Sequence, residues 1–153
     1  MSMSNQFAPG RQQSVSILHH LIDACREGEI GFRRAADHAR SKAVKGILTR
    51  YALQRSRFAH ELEIEVRLLG GPEKTALSTG AHRRLSILPD AGSPDATLVS
   101  DCERLEQEAL ATFDDVLRAR LPAELASLIR GHQGAISDAQ NHLRQLHATL
   151  APR

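Results

Sequence analysis

The residues from Arg50 to Gly71, RYALQRSRFAHELEIEVRLLGG, constrain the fold more than any other stretch of the chain. Tyr51, Phe58, Leu62 and Leu69 recur at helical steps, with Arg55 and Glu65 or Val66 in the slots between, which is how a helix lays one face against a core. Gly70-Gly71-Pro72 then stops it, because glycine accepts the left-handed C-cap and proline cannot continue a helix. One apolar stripe is not buried alone, so the rest of the chain must supply surfaces that close over it.

Three further stripes are present. From Ser14 to Arg40 the positions Leu18, Ile22, Cys25, Phe32, Ala36 and Ala39 alternate in fours and threes, with Ser14 or Ser16 as the candidate N-cap and Glu29 in the slot between Cys25 and Phe32. The pattern breaks around Ala39 to Lys42, and the second helix starts near Ala43 with Val44 and Leu48. So short a connection makes the first two helices antiparallel. Residues 72 to about 97 are rich in Gly, Ser, Thr and Pro, with a short helix expected over Gly80 to Leu88. Such a length suits a crossover that returns along the bundle. The third helix begins at Asp95 behind Pro94, or at Ser93, with the seam Leu98, Cys102, Leu105, Ala109, Phe113 and Val116 and a flank of Glu103, Glu106 and Glu108. Pro122 opens the fourth, whose seam is Leu125, Ile129, His132, Ile136, Ala139, Leu143, Leu146 and Leu150. The expected architecture is an all-α four-helix bundle over residues 14–150, with a long crossover between helices 2 and 3, behind a flexible tail over residues 1–13.

Composition narrows the classes of function. Leu and Ala carry the apolar content and aromatics make up only 3%, which favours close-packed helices over a sheet. A formal net charge of +2 is too small for a nucleic-acid footprint, and the basic corner of Arg33, Arg34, Arg40, Lys42 and Lys45 reads as a solvated helix end. Cys25 and Cys102 lie far apart at apolar positions, so buried free thiols in a reducing compartment are expected. Neither has a neighbouring His or a glycine-rich turn that would activate it. No secretion signal or membrane-spanning run is visible, so a cytoplasmic protein without a membrane partner is expected.

The segments Leu21 to Phe32, Tyr51-Ala52-Leu53-Gln54-Arg55 with Phe58 and Glu61-Leu62, Val66 to Gly71, the His82-Arg83 pair, and Cys102-Glu103-Arg104 with Glu106 together resemble the bacterial ferritin-like four-helix-bundle family known as domain of unknown function 2383. The resemblance extends over nearly the whole chain after the tail. It implies a ferritin-like bundle with a long second crossover, in a family without an assigned biochemical role. It also implies a His-Asp pair in the fourth helix where this chain reads Gln140-Asn141, a departure that removes two possible ligands.

Di-iron sites in ferritin-like bundles take one Glu from each of two helices and a Glu-x-x-His from each of the other two, and this sequence contains no Glu-x-x-His. It does offer Glu29, Glu61, Glu106 and His132, one from each helix. If these converge they make a single hard-metal site for iron or manganese, with His132 as its nitrogen ligand. The competing reading pairs Glu29 with Arg55 and lets His132 hydrogen-bond a carboxylate, a buried polar network that sets helix register without activity. Gln54 belongs to the same network on either reading, and His60 is the one other histidine near it. The functional expectation is therefore a structural, stress-associated or interaction protein, non-enzymatic and forming a homo-oligomer by analogy with ferritin-like folds; the alternative is a metal-binding protein or oxidase.

Overall fold

The computed structural model of the protein describes residues 10–74 and 92–151. Four helices account for nearly all of them: α1 (Arg11–His38), α2 (Lys42–Leu68), α3 (Asp95–Leu117) and α4 (Ala123–Leu150), with no strand among the described residues. The helix proposed over Gly80 to Leu88 and the first nine residues of the N-terminal tail lie outside the described residues.

Each boundary has a local cause. Ser41 caps α2 by accepting a hydrogen bond from the Val44 N–H at 3.3 Å, a contact of about 1 kcal/mol. At the other end Gly71 N–H donates to Val66 O at 3.0 Å and Gly70 N–H to Arg67 O at 2.9 Å, while Gly70 takes φ +73. That is a Schellman stop, and only glycine enters it without strain. The beginning of α1 differs from the sequence reading. It starts at Arg11 with Gly10 as N-cap, and Ser14 is buried within the first turns instead of capping them. Packing explains the extra turn: a Cβ on Gly71 would lie 2.7 Å from Val15 Cγ2, so the bare glycine lets the end of α2 rest on the start of α1.

α1 packs against α2 on one side and α3 on the other, and α4 packs on α3. α4 also meets α2 through Phe58 against His132 and Tyr51 against His142, so α2 and α3 face each other diagonally across the core. The topology follows from the helix ends. α2 stops beside the start of α1, whereas Asp95 at the start of α3 accepts the Arg40 N–H at 2.9 Å and the Ser41 N–H at 3.0 Å, at the end of α1. α2 and α3 therefore run parallel, and the connection between them spans the length of the bundle, about 40 Å for helices of this size. Two apolar clusters fill the interior. One gathers Leu18, Ile22, Phe58, Phe113 and Ile129, and the other Phe32, Leu48, Leu98 and Leu143.

Candidate functional site

The polar residues of the interior lie around these two clusters. Arg55 on α2 and Glu106 on α3 are both fully buried, and Arg55 Nη2 donates to Glu106 Oε2 across the diagonal. The partner foreseen for Arg55 is thus replaced: Glu106, not Glu29, receives it. Room for the guanidinium comes from Gly28 of α1, where a Cβ would stand 3.1 Å from Arg55 Cγ and 3.2 Å from its Nε. Between Cys25 and Phe32 the seam therefore runs through Gly28 rather than Glu29, and the stem of Arg55 fills the space a core side chain would take. Burial pulls the Arg55 guanidinium down to about 10, which still leaves it a cation at neutral pH. Its Nε and Nη1, and Glu106 Oε1, have no hydrogen-bond partner.

Glu29 sits at the edge of the α1–α2 layer. Arg26 Nη1 donates to its Oε1 at 2.7 Å and Arg33 Nη2 to its Oε2 at 3.1 Å, while Arg26 Nη2 reaches Glu63 on α2 at 2.8 Å. Partial burial acts to raise the Glu29 carboxyl, but the two arginines outweigh it and hold the group below its ordinary value. Glu63 is half-buried within this network.

His132 of α4 is buried, stacked on Phe58 at 4.1 Å between centroids and edge-on to Phe113 at 6.4 Å. Its Nε2 lies 3.7 Å from Glu61 Oε2, at ion-pair range and beyond a hydrogen bond, so the expected bond to a carboxylate is not made. Neither ring nitrogen has a hydrogen-bond partner. Burial lowers the basicity of the ring, Glu61 opposes that effect, and Arg55 and Arg57 reinforce it, with a net shift downward. His60 points elsewhere, 63% exposed and 4.0 Å from Glu63.

The four residues singled out thus fall into three places: Glu61 with His132, Glu106 with Arg55, and Glu29 with Arg26 and Arg33. Among the described residues, no group of three or more His, Cys, Asp or Glu side chains is placed to hold a metal ion. For a shared metal centre the fit is poor on chemical grounds, since Glu106 already faces a buried cation and Glu29 is saturated by two others. Burial raises the Cys25 thiol to about 12 and also raises that of Cys102, so both are protonated free thiols. Sequence reasoning missed two groups. Asp23 and Glu27 are buried along a groove of about 390 Å³ between α1 and α3, with Lys74 Nζ 3.3 Å from Asp23 Oδ1. Tyr51 Oη and His142 Nδ1 are 2.6 Å apart between α2 and α4. The four-residue recurrence of Asp23 and Glu27 was the available signal; nothing local announces the Tyr51–His142 pair.

Fold and interior define a four-helix bundle with a long crossover and a diagonal internal ion pair. The chain belongs to the family described as Domain of unknown function (DUF2383), which matches residues 13–119. The match covers α1 to α3 and ends before α4, a narrower span than the resemblance read from the sequence, and leaves Gln140-Asn141 outside it. No curated protein matches the chain. No helix among the described residues is long and apolar enough to cross a membrane.

Proposed function

We propose that this protein is a ferritin-like bundle of the bacterial cytoplasm that acts as a structural, stress-associated or interaction protein and not as an enzyme. The observation that carries the reading is the burial of Arg55 against Glu106. Ferritin-like metal centres rest on inward carboxylates that need a cation. Here the chain brings its own, and a metal ion on Glu106 would be a second positive charge beside the guanidinium in a medium that screens poorly. The parallel α2 and α3 joined by a long connection support the ferritin-like comparison, which concerns topology and by itself assigns no chemistry. Buried free thiols favour a reducing compartment.

A second reading, a metal-binding protein or oxidase using iron or manganese, is favoured by one observation: Glu61 and His132 lie 3.7 Å apart with both imidazole nitrogens unpartnered. Elemental analysis of protein expressed in iron- and manganese-supplemented medium separates the two. The first reading expects far less than one ion per chain. Stoichiometric metal that disappears in Glu106→Ala, Glu29→Ala or His132→Ala overturns it.

A further inference from the structure

The four helices form two close-packed hairpins, α1 with α2 and α3 with α4. Each is laced internally: Arg26 of α1 donates to Glu63 of α2 at 2.8 Å, and Arg144 of α4 donates to Glu103 of α3 at 3.0 Å. The hairpins meet each other differently. Their backbones approach along α1 and α3, where Asp95 also holds the Arg40 and Ser41 N–H groups. α4 reaches α2 only through side-chain ends: the Phe58–His132 stack, the Tyr51–His142 hydrogen bond and the open Glu61–His132 pair at 3.7 Å.

Unsatisfied polar atoms gather on the same interface. Among the described residues seven buried side-chain nitrogen and oxygen atoms lack a hydrogen-bond partner, and six of them, on Gln54, Arg55, Glu106 and His132, belong to faces the hairpins turn toward each other. Gln54 lies on the side of α2 shared by Tyr51, Phe58 and Glu61. A buried polar atom without a partner is destabilising, and contact with water returns its hydrogen bond. Parting the hairpins hydrates all six at once, whereas opening either hairpin from within breaks its own ion pairs. Apolar contacts shared by the two hairpins, Phe58 with Ile129 and Leu48 with Leu143 in their clusters, keep the closed form dominant.

We propose that the bundle opens as two hairpins, parting along α2 and α4 and turning on the α1–α3 contact, while each hairpin stays helical. The open form is a minor state in equilibrium with the closed one, below the threshold of global unfolding. It is the route by which water and small solutes reach His132 and the Arg55–Glu106 pair. The motion follows from the packing and holds on either reading of the function, so its test stands apart from the metal analysis.

Cys25 and Cys102 report on this motion without any substitution. Cys25 shares its cluster with Phe58, Ile129 and Ile136, and Cys102 shares the other with Leu48, Leu98 and Leu143, so α2 and α4 contribute to the cover of both buried thiols. Labelling of the full chain by excess aromatic disulfide, in native buffer and over a series of low urea concentrations, reads the opening, since a buried thiol reacts only once exposed. Both thiols should label with one common opening constant, at least about tenfold larger than that of global unfolding measured by urea melts. The urea dependence should be about half as steep or less, because only the surface between the hairpins is exposed. His132→Phe puts carbon in place of two orphaned nitrogens and should slow labelling about tenfold, with helicity by circular dichroism retained. Labelling that matches global unfolding in both opening constant and urea slope overturns the proposal. So do two thiols with different opening constants, or a His132→Phe chain labelled as fast as the parent.

Discussion

Removing Glu106 while keeping Arg55 tests the central feature of the interior. Both side chains have no exposure, so Glu106→Leu leaves a guanidinium in the core with no counter-charge. Breaking a buried pair by deleting one partner costs about 3–5 kcal/mol. Unfolding entropy for a chain of 153 residues is roughly 0.3 kcal/mol/K, so the expected fall in Tm is about 10–15 °C. The double variant Arg55→Met/Glu106→Leu removes both charges and the orphaned Nε, Nη1 and Oε1 together. Apolar replacements of similar volume are often neutral or stabilising, so its Tm should return to within about 5 °C of the parent. Thermal and urea melts followed by circular dichroism are compared for four chains: the parent, Glu106→Leu, Arg55→Met and the double variant. If Glu106→Leu loses under about 1 kcal/mol, or the double variant loses the sum of the two single losses, the pair is not an isolated buried couple and the reasoning fails.

Two further predictions rest on the same interior. Gly28→Ala should destabilise by about 1–2 kcal/mol although alanine is the better helix former, because its Cβ arrives 3.1 Å from Arg55 Cγ; in an Arg55→Ala background the sign should reverse, and urea midpoints of the four variants decide it. His132 prefers the neutral form in the fold more than in the unfolded chain, so the unfolded state binds the extra proton first as pH falls. Stability from this group is complete above the ordinary imidazole value of 6.5 and is lost as pH drops from there through the lower folded value. Urea midpoints between neutral and mildly acidic pH should fall, the fall should deepen in Glu61→Gln, where the opposing charge is gone, and it should be largely absent in His132→Phe. A His132→Phe chain with the parent's pH dependence would show that another group titrates.

The helices were legible in the sequence because their signals are local. The steps of Leu98, Cys102, Leu105, Ala109, Phe113 and Val116, the Gly70-Gly71-Pro72 stop and the Pro122 start each involve neighbours a few residues apart, and all reappear in the structure with the expected residues buried. The inward placement of His132 was legible for the same reason: a polar residue at a seam position is turned inward by the helix itself, whereas Glu106 stood on the flank of its seam and is fully buried. Glu29 shows where that reasoning stops. Its seam position is shared with Gly28, and only the arrival of Arg55 from another helix decides that the glycine faces the core and the glutamate faces two arginines.

By itself, then, the order of residues determined four amphipathic helices, their ends apart from the start of α1, the parallel return implied by the long connection, and membership of a family defined by its sequence. Tertiary structure alone decided the partners: Arg55 with Glu106, Asp95 with the Arg40–Ser41 turn, Tyr51 with His142. Periodicity records which side of a helix is apolar, a property of residues close in the chain. Pairing depends on the rotation and offset of helices separated by tens of residues, and those are set by how whole surfaces pack.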